Sequence, residues 1–353
     1  MGRVATCAVT TSHEVWCWGL DLTSFESVTG YIVEPPRRIA GIHDATDVAM
    51  SQMDTACAIL VGGHLKCWGA NMNLEAGTGP LPKDHKRRGT IAPVLVALQN
   101  VVRVSPGSEH TCAVIADGTV KCWGNNDRGQ LGLGWPDRSA APSEVGRPTT
   151  VPGVSDVAVV VSGYRSTCVL HHDHTLTCWG EGFDCQKPSK ITEAGNDVIA
   201  LSGSDDGYAL LKADGSVWTR DSLGVGTGHD EACEVWVFRD FKQKKELNHV
   251  VQLSASAMPP DYCASCPVAG CAVVADGTVQ CWNNGPPAAV AGLQLVRQVA
   301  DGIDAACAVT TTNRVLCWGN NGSGRLGDGS PPAPGVSYGV VEPHWPSTAT
   351  QQP

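Results

Sequence analysis

Residues 112–126 read CAVIADGTVKCWGNN, with two cysteines ten residues apart on either side of an Asp-Gly. Asp-Gly between short β-branched runs marks a hairpin. A three-residue loop of Ala116, Asp117 and Gly118, with Gly118 left-handed, sets Ile115 opposite Thr119 and carries the pairing back to Cys112 opposite Cys122. Hydrogen-bonded and non-hydrogen-bonded rungs alternate, so the cysteines fall on a non-hydrogen-bonded rung with Cα atoms about 4.5 Å apart. That separation is within disulfide reach.

The same spacing pairs Cys7 with Cys17, Cys57 with Cys67, Cys168 with Cys178, Cys271 with Cys281 and Cys307 with Cys317, each with a Trp directly after the second cysteine. A seventh copy, YALLKADGSVWTR, has Ala209 and Thr219 at the cysteine positions, so both thiols are absent together, as bonded partners predict. The turn position that needs positive φ holds His13, Gly63, Gly118, His174, Gly215, Gly277 and Asn313, residue types at ease there. Copies recur every 36 to 62 residues or so, a propeller-blade interval of about four strands each. The expectation is one all-β toroidal domain over residues 1–345, with 346–353 a disordered tail. One disulfide-bridged hairpin is expected in six of the seven blades.

Short apolar strands such as VVRVS, VAVVV and VRQVA precede the hairpins, and looser proline-bearing runs (PPRRI, APVLV, KPSKI, PPAAV) lie further upstream. These read as the inner or edge strands of each blade. Gly2 stands five residues before Cys7, as Gly107 does before Cys112, so the first blade lacks its upstream strands. The C-terminal VSYGVVEPHW is expected to provide one of them and close the ring. The Trp after each second cysteine points to the opposite strand face, so Trp and disulfide are expected to pack on different neighbours.

Sixteen cysteines in paired spacing argue for an oxidising compartment. The opening MGRVATC has no apolar leader, and the expectation is a chain trimmed at its start. A net charge of −10 without a basic stripe argues against nucleic acid or an anionic membrane surface as partner. The one basic run, KDHKRRG at 83–89, reads as a solvated loop, and no apolar stretch is long enough to cross a membrane.

CAVIADGTVKCWGNNDRGQLGLG at 112–134 and CAVTTTNRVLCWGNNGSGRLGDG at 307–329 resemble repeats of the regulator of chromosome condensation family. The resemblance implies a seven-bladed β-propeller over nearly the whole chain, and the cysteine pairs look like those of bacterial exported members. The Gly-Gln-Leu-Gly loop is complete at Gly129 to Gly132 and nearly so at Gly324 to Gly327. Members exchange nucleotide on a small GTPase, inhibit β-lactamases or sense ultraviolet light. No position here matches their functional motifs beyond the structural ones.

Cys185, Cys233, Cys263 and Cys266 fall outside the repeat and are placed by strand parity on one face, near the fourth to sixth blades. They read as further disulfides; a four-cysteine zinc site and a redox Cys-x-x-Cys are the alternatives. His171-His172-Asp173-His174 sits in a hairpin turn and reads as solvated. The least repeat-like stretch, 231–251, offers Trp236, Phe238, Arg239 and Phe241, with Tyr262 nearby, as strand core or as a binding anchor. The function expected is a secreted or cell-surface, monomeric, non-enzymatic module that binds a protein or other extracellular ligand through its long-loop face. It needs no cofactor, metal, nucleic acid or membrane insertion. The alternatives are a guanine-nucleotide exchange factor and a zinc or redox enzyme built on the four non-repeat cysteines.

Overall fold

A computed structural model describes residues 1–2, 4–22, 33–79, 90–136, 141–183, 187–204, 207–220, 241–256, 268–283, 285–302, 304–330 and 337–346. Their strands form seven antiparallel sheets, each a consecutive stretch of chain. The first is β1 (Ala5–Val9), β2 (Val15–Leu20) and β3 (Val33–Arg38). The second is β4 (Ala45–Met50), β5 (Thr55–Leu60), β6 (Leu65–Ala70) and β7 (Thr90–Val96). The third is β8 (Val101–Pro106), β9 (His110–Ile115), β10 (Val120–Asn125) and β11 (Glu144–Thr150). The fourth is β12 (Val157–Ser162), β13 (Ser166–His171), β14 (Leu176–Gly180) and β15 (Ser189–Lys190). The fifth is β16 (Val198–Ser204), β17 (Gly207–Lys212), β18 (Val217–Arg220) and β19 (Lys242–Gln243). The sixth is β20 (Val250–Ser256), β21 (Ala269–Val274), β22 (Val279–Trp282) and β23 (Ala288–Ala289). The last is β24 (Val296–Asp301), β25 (Ala305–Thr310), β26 (Val315–Asn320) and β27 (Ser337–Val341). Each sheet packs on the next, and the protein is a seven-bladed β-propeller.

The opening hairpin has the expected register. Ile115 N–H donates to Thr119 O, Cys112 faces Cys122, and their Cα atoms are 4.1 Å apart. The five other expected bridges are present as well. Cys7 is bonded to Cys17, and Cys168 to Cys178, each with Cα atoms 4.1 Å apart. Cys57 is bonded to Cys67, Cys271 to Cys281 and Cys307 to Cys317, each at 4.0 Å. All six are direct cross-strand pairs, a little closer than the sequence spacing suggests. All seven turn residues have positive φ, between 62° and 80°. At Asp117 the side chain accepts from the N–H and hydroxyl of Thr119, and Asp173, Asp214 and Asp276 repeat the bond in other turns. These hydrogen bonds hold the four carboxyls below their ordinary pKa.

Two expectations change. The proline-bearing runs are the outer strands of the preceding blades, so β3 pairs with β2 and β7 with β6. Proline has no N–H to give to a ladder, and the free outer edge is where that loss is tolerated. Among the described residues the first blade thus has three strands and no inner one. The C-terminal segment does not supply it, because β27 pairs with β26 as the outer strand of the last blade.

Blades are stitched together by one recurring device. The loop after the third strand presents the carbonyl of Glu75, Gln130 or Arg325. Each accepts the indole N–H of the next blade's Trp (Trp123, Trp179, Trp18) at 2.8 Å. The same carbonyls accept the hydroxyls of Thr111, Thr167 and Thr6 at 2.7–3.0 Å. Two residues further on, the loop glycine lies under the indole. A Cβ on Gly132, where φ is 70°, would stand 2.6 Å from Val151 Cγ1 and 3.1 Å from Trp179 Nε1. The Trp18 copy joins the first blade to the last and closes the ring within one chain. Trp345 adds edge contacts to Trp16 and Trp18 at 6.0 and 5.6 Å. The Trp packs among the previous blade's core, Trp123 with Cys57 and Cys67, Trp179 with Cys112 and Cys122. In the fifth blade, whose hairpin carries no cysteine, Arg220 takes the Trp place. Its guanidinium donates to Gly182 O at 2.7 Å and covers the Phe183 ring at 3.9 Å.

Around the channel, inner-strand serines bond to the next blade. Ser105, Ser202 and Ser254 Oγ accept the N–H of Ser162, Ala255 and Asp301 at 2.9 Å. On the hairpin-turn face the carbonyls of His13, Gly63, Gly118, Gly215 and Gly277 accept the first N–H of the following inner strand.

Trp123→Phe should remove one hydrogen bond while keeping the packing, at a cost of about 1 kcal/mol in urea unfolding. Trp123→Ala should cost about 3–5 kcal/mol. Glu75 uses both oxygens, on the N–H groups of Met72 and Asn73, because Ala70 replaces the asparagine that serves the first of these in the third blade. Burial raises its carboxyl to about 7. The folded protein then keeps a proton that the unfolded chain releases above about 4.5, so stability falls as pH climbs through that window. Glu75→Gln with Ala70→Asn should flatten this slope and stabilise the protein by about 1–2 kcal/mol at pH 8. Urea midpoints across pH 4 to 8 measure it.

Candidate functional site

In a four-stranded blade the turns between first and second strands and the links between third and fourth open on one face of the ring. The hairpin turns open on the other. The strand ends flanking residues 184–186, 221–240 and 257–267 all lie on the first of these, the loop face. Cys185, Cys233, Cys263 and Cys266, expected on a common face, lie outside the described residues.

On this face, charged and aromatic side chains meet between the third and fourth blades. Glu109 sits in the turn after β8, Arg128 in the loop after β10, Tyr164 and Arg165 in the turn after β12, and Glu181 just past β14. Arg165 Nη1 and Arg128 Nε lie 3.5 and 3.7 Å from Glu181 Oε2. The Arg165 guanidinium covers the Tyr164 ring at 4.5 Å, and Asn125 donates to Glu109 at 2.9 Å. Side chains of Arg128, Arg165 and Glu181 are only 14–22% exposed, so this is a half-buried seam rather than a solvated rim. Burial raises the Glu109 carboxyl above its ordinary value, with the Arg165 charge opposing. The seam suits recognition of a polar, charge-bearing surface; it holds no activated nucleophile.

Of the residues singled out as a binding anchor, Phe241 is buried at 7% exposure in a core with Phe183 and Tyr208. It fills the strand-core alternative. Trp236, Phe238, Arg239 and Tyr262 lie outside the described residues, as does the basic run at 83–89. In the His171–His174 turn each ring takes its own partners: His171 meets Ser155 O and Thr177, His172 meets Asp156, and His174 meets Val198 O. Among the described residues no group of three or more His, Cys, Asp or Glu is gathered to hold a metal. No described helix is long and apolar enough to cross a membrane. The seam itself was open to sequence reading. Three residues before the first cysteine stand Asp54, Glu109 and Asp304 in three blades, and Arg165 breaks that acidic pattern.

The architecture and the stitching loop define a β-propeller built from one recurring unit. That unit matches the models described as the Regulator of chromosome condensation (RCC1) repeat, at residues 101–130 and 296–325 in one form and 117–170 in another. The chain carries these repeats, and the same hairpin recurs in all seven blades. It is 26% identical over 259 residues to the ultraviolet-B receptor UVR8 of Arabidopsis thaliana, covering 68% of this chain and 55% of that protein. It is 24% identical over 299 residues to the guanine nucleotide exchange factor SRM1 of Saccharomyces cerevisiae, covering 76% and 59%. This chain thus spans less than two thirds of either relative. The crystal structure of human WBSCR16 superposes with a TM-score of 0.70 over 94% of this chain and 95% of that one, at 17% identity.

Arg165→Met should raise the Glu109 pKa further, because it removes the opposing charge and leaves the burial. A carboxyl-carbon NMR titration reads the shift, and an unchanged value would show that the two groups are not coupled.

Proposed function

We propose that this protein is an exported, non-catalytic binding module that engages a protein partner through the loop face. The observation that carries the reading is the half-buried seam of Arg128, Tyr164, Arg165 and Glu181 on that face. Arginine and tyrosine held partly desolvated in fixed positions are the groups that dominate binding energy at protein interfaces. Propellers of this repeat are a frame for such contacts, and fold alone does not choose among them. The disulfide in six blades supports an oxidising location, where such bonds persist. Trp236, Arg239 and Tyr262 belong to segments whose flanking strands end on the same face, and by residue type they supply further anchors.

The second reading is nucleotide exchange on a small GTPase, favoured by the similarity to SRM1. A cytosolic exchange factor would keep its thiols reduced.

Alkylation under denaturing conditions without reductant, read by intact mass on protein from its native source, should find no free thiol in the six hairpins. Sixteen free thiols would put the exchange factor ahead. Immobilised protein should retain partners from the source's extracellular fraction and lose them on Arg128→Ala with Arg165→Ala. Equal retention by the double variant, or accelerated release of fluorescent GDP from a small GTPase, would overturn the reading.

A further inference from the structure

The inner strands β4, β8, β12 and β16 end on the loop face at Met50, Pro106, Ser162 and Ser204. Around these four ends lies a cavity of about 120 Å³, which Gln52, Ser105 and Ser108 also line. Ala49, Gln52 and Ser204 border the wider channel as well, which gives a path of entry along the ring axis.

Two polar atoms in the wall of this cavity stand out. Gln52 Oε1 and Ser162 Oγ are buried and, among the described residues, have no hydrogen-bond partner. Gln52 is 5% exposed and Ser162 3%. The hydroxyl oxygens beside them are already engaged. Ser51 Oγ accepts the N–H of Thr55 at 3.0 Å, and Ser105 Oγ accepts the N–H of Ser162 at 2.9 Å. No side chain at Gly107 could reach in to serve the pair, because a Cβ there would stand 2.4 Å from Gly163 O and 2.9 Å from Ser162 Cβ. Buried polar atoms are costly when unpaired, so two in one cavity wall require a small guest that bonds both.

The lining states the chemistry of that guest. No described lining residue carries a charge, so an ion would shed its water there and meet no counter-charge. Gln52 Oε1 needs a donor, whereas the Ser162 hydroxyl both gives and takes. Met50, Val104, Pro106 and Val160 add apolar wall between the polar groups. Two neighbouring hydroxyls on a short carbon chain answer all of this. One bonds the Gln52 amide, which a hydroxyl serves in either rotamer, the other bonds Ser162 Oγ, and the C–H groups lie on the apolar wall.

We propose that the channel mouth is a binding site for a small neutral polyol, whose vicinal hydroxyls are held by Gln52 and Ser162. The volume holds several water positions, which is room for a body the size of glycerol. Neither residue belongs to the charged seam, so this inference stands apart from the reading of the loop face.

The test titrates glycerol and erythritol and follows the backbone amides of Ser105 and Gly163 by NMR. Site-specific shifts are read instead of melting temperature, because polyols stabilise any folded protein through exclusion from its surface. With at least one of the two, the shifts should saturate with about millimolar affinity, which is within reach of so small a ligand. Gln52→Met and Ser162→Ala should each weaken binding about fivefold, the loss of one hydrogen bond. Neither variant removes a bond within the protein, so without polyol the urea midpoint should hold or rise. 1-Propanol, which lacks the second hydroxyl, should give no saturation. Absence of saturation up to about 0.1 M would leave the cavity to water alone and overturn the proposal. Equal binding by both variants, equal binding of 1-propanol, or saturation by ammonium or chloride in place of the polyols overturns it as well.

Discussion

At three of the blade junctions a single backbone carbonyl holds the neighbours together. The oxygens of Glu75, Gln130 and Arg325 each collect an indole N–H and a threonine hydroxyl from the neighbouring blade. Because the acceptor is main chain, the residue that bears it can vary among Glu, Gln and Arg without loss of the bond. What cannot vary freely is the glycine two residues on, whose missing Cβ lets the indole approach. The loop's asparagine keeps the shape, since Asn71, Asn126 and Asn321 accept the N–H of Ala76, Leu131 and Leu326.

The disulfides act at a different level. Each links neighbouring strands of a single blade, so it rigidifies the hairpin that presents the Trp without tying one blade to another. The fifth blade shows that the two functions separate. Ala209 and Thr219 pair without a bridge, and Arg220 still reaches back to Gly182 O. A cation on a carbonyl replaces an indole there, with Phe183 as its flat neighbour.

Much of this was legible in residue order. Spacing of ten, a turn residue tolerant of positive φ and a Trp after the second cysteine fixed hairpin register, bridge and packing direction together, because a two-residue period leaves no freedom once one pair is set. Thus Cys17, Cys178, Cys281 and Cys317 each face the cysteine that the count of ten assigns them. Blade phase was less legible. A proline run such as PPRRI reads equally as the start of one blade or the end of another, and only the outer edge's tolerance for a missing N–H resolves it. The seam at Arg165 was missed for another reason. The break in the acidic pattern at Arg165 marks a single position, whereas Arg128 and Glu181 come from two different blades, and their meeting across the blade boundary has no local signature.

In six of the hairpins a disulfide lies a few residues behind the turn. A protease that cuts between Cys112 and Cys122 therefore severs the backbone without releasing either piece, since the bridge keeps both in register. The same cut near Asp214 falls in the one hairpin without such a bridge, where hydrogen bonds and packing pair the two strands. Of the seven hairpin turns, that one is therefore the least restrained by its own strands after a nick.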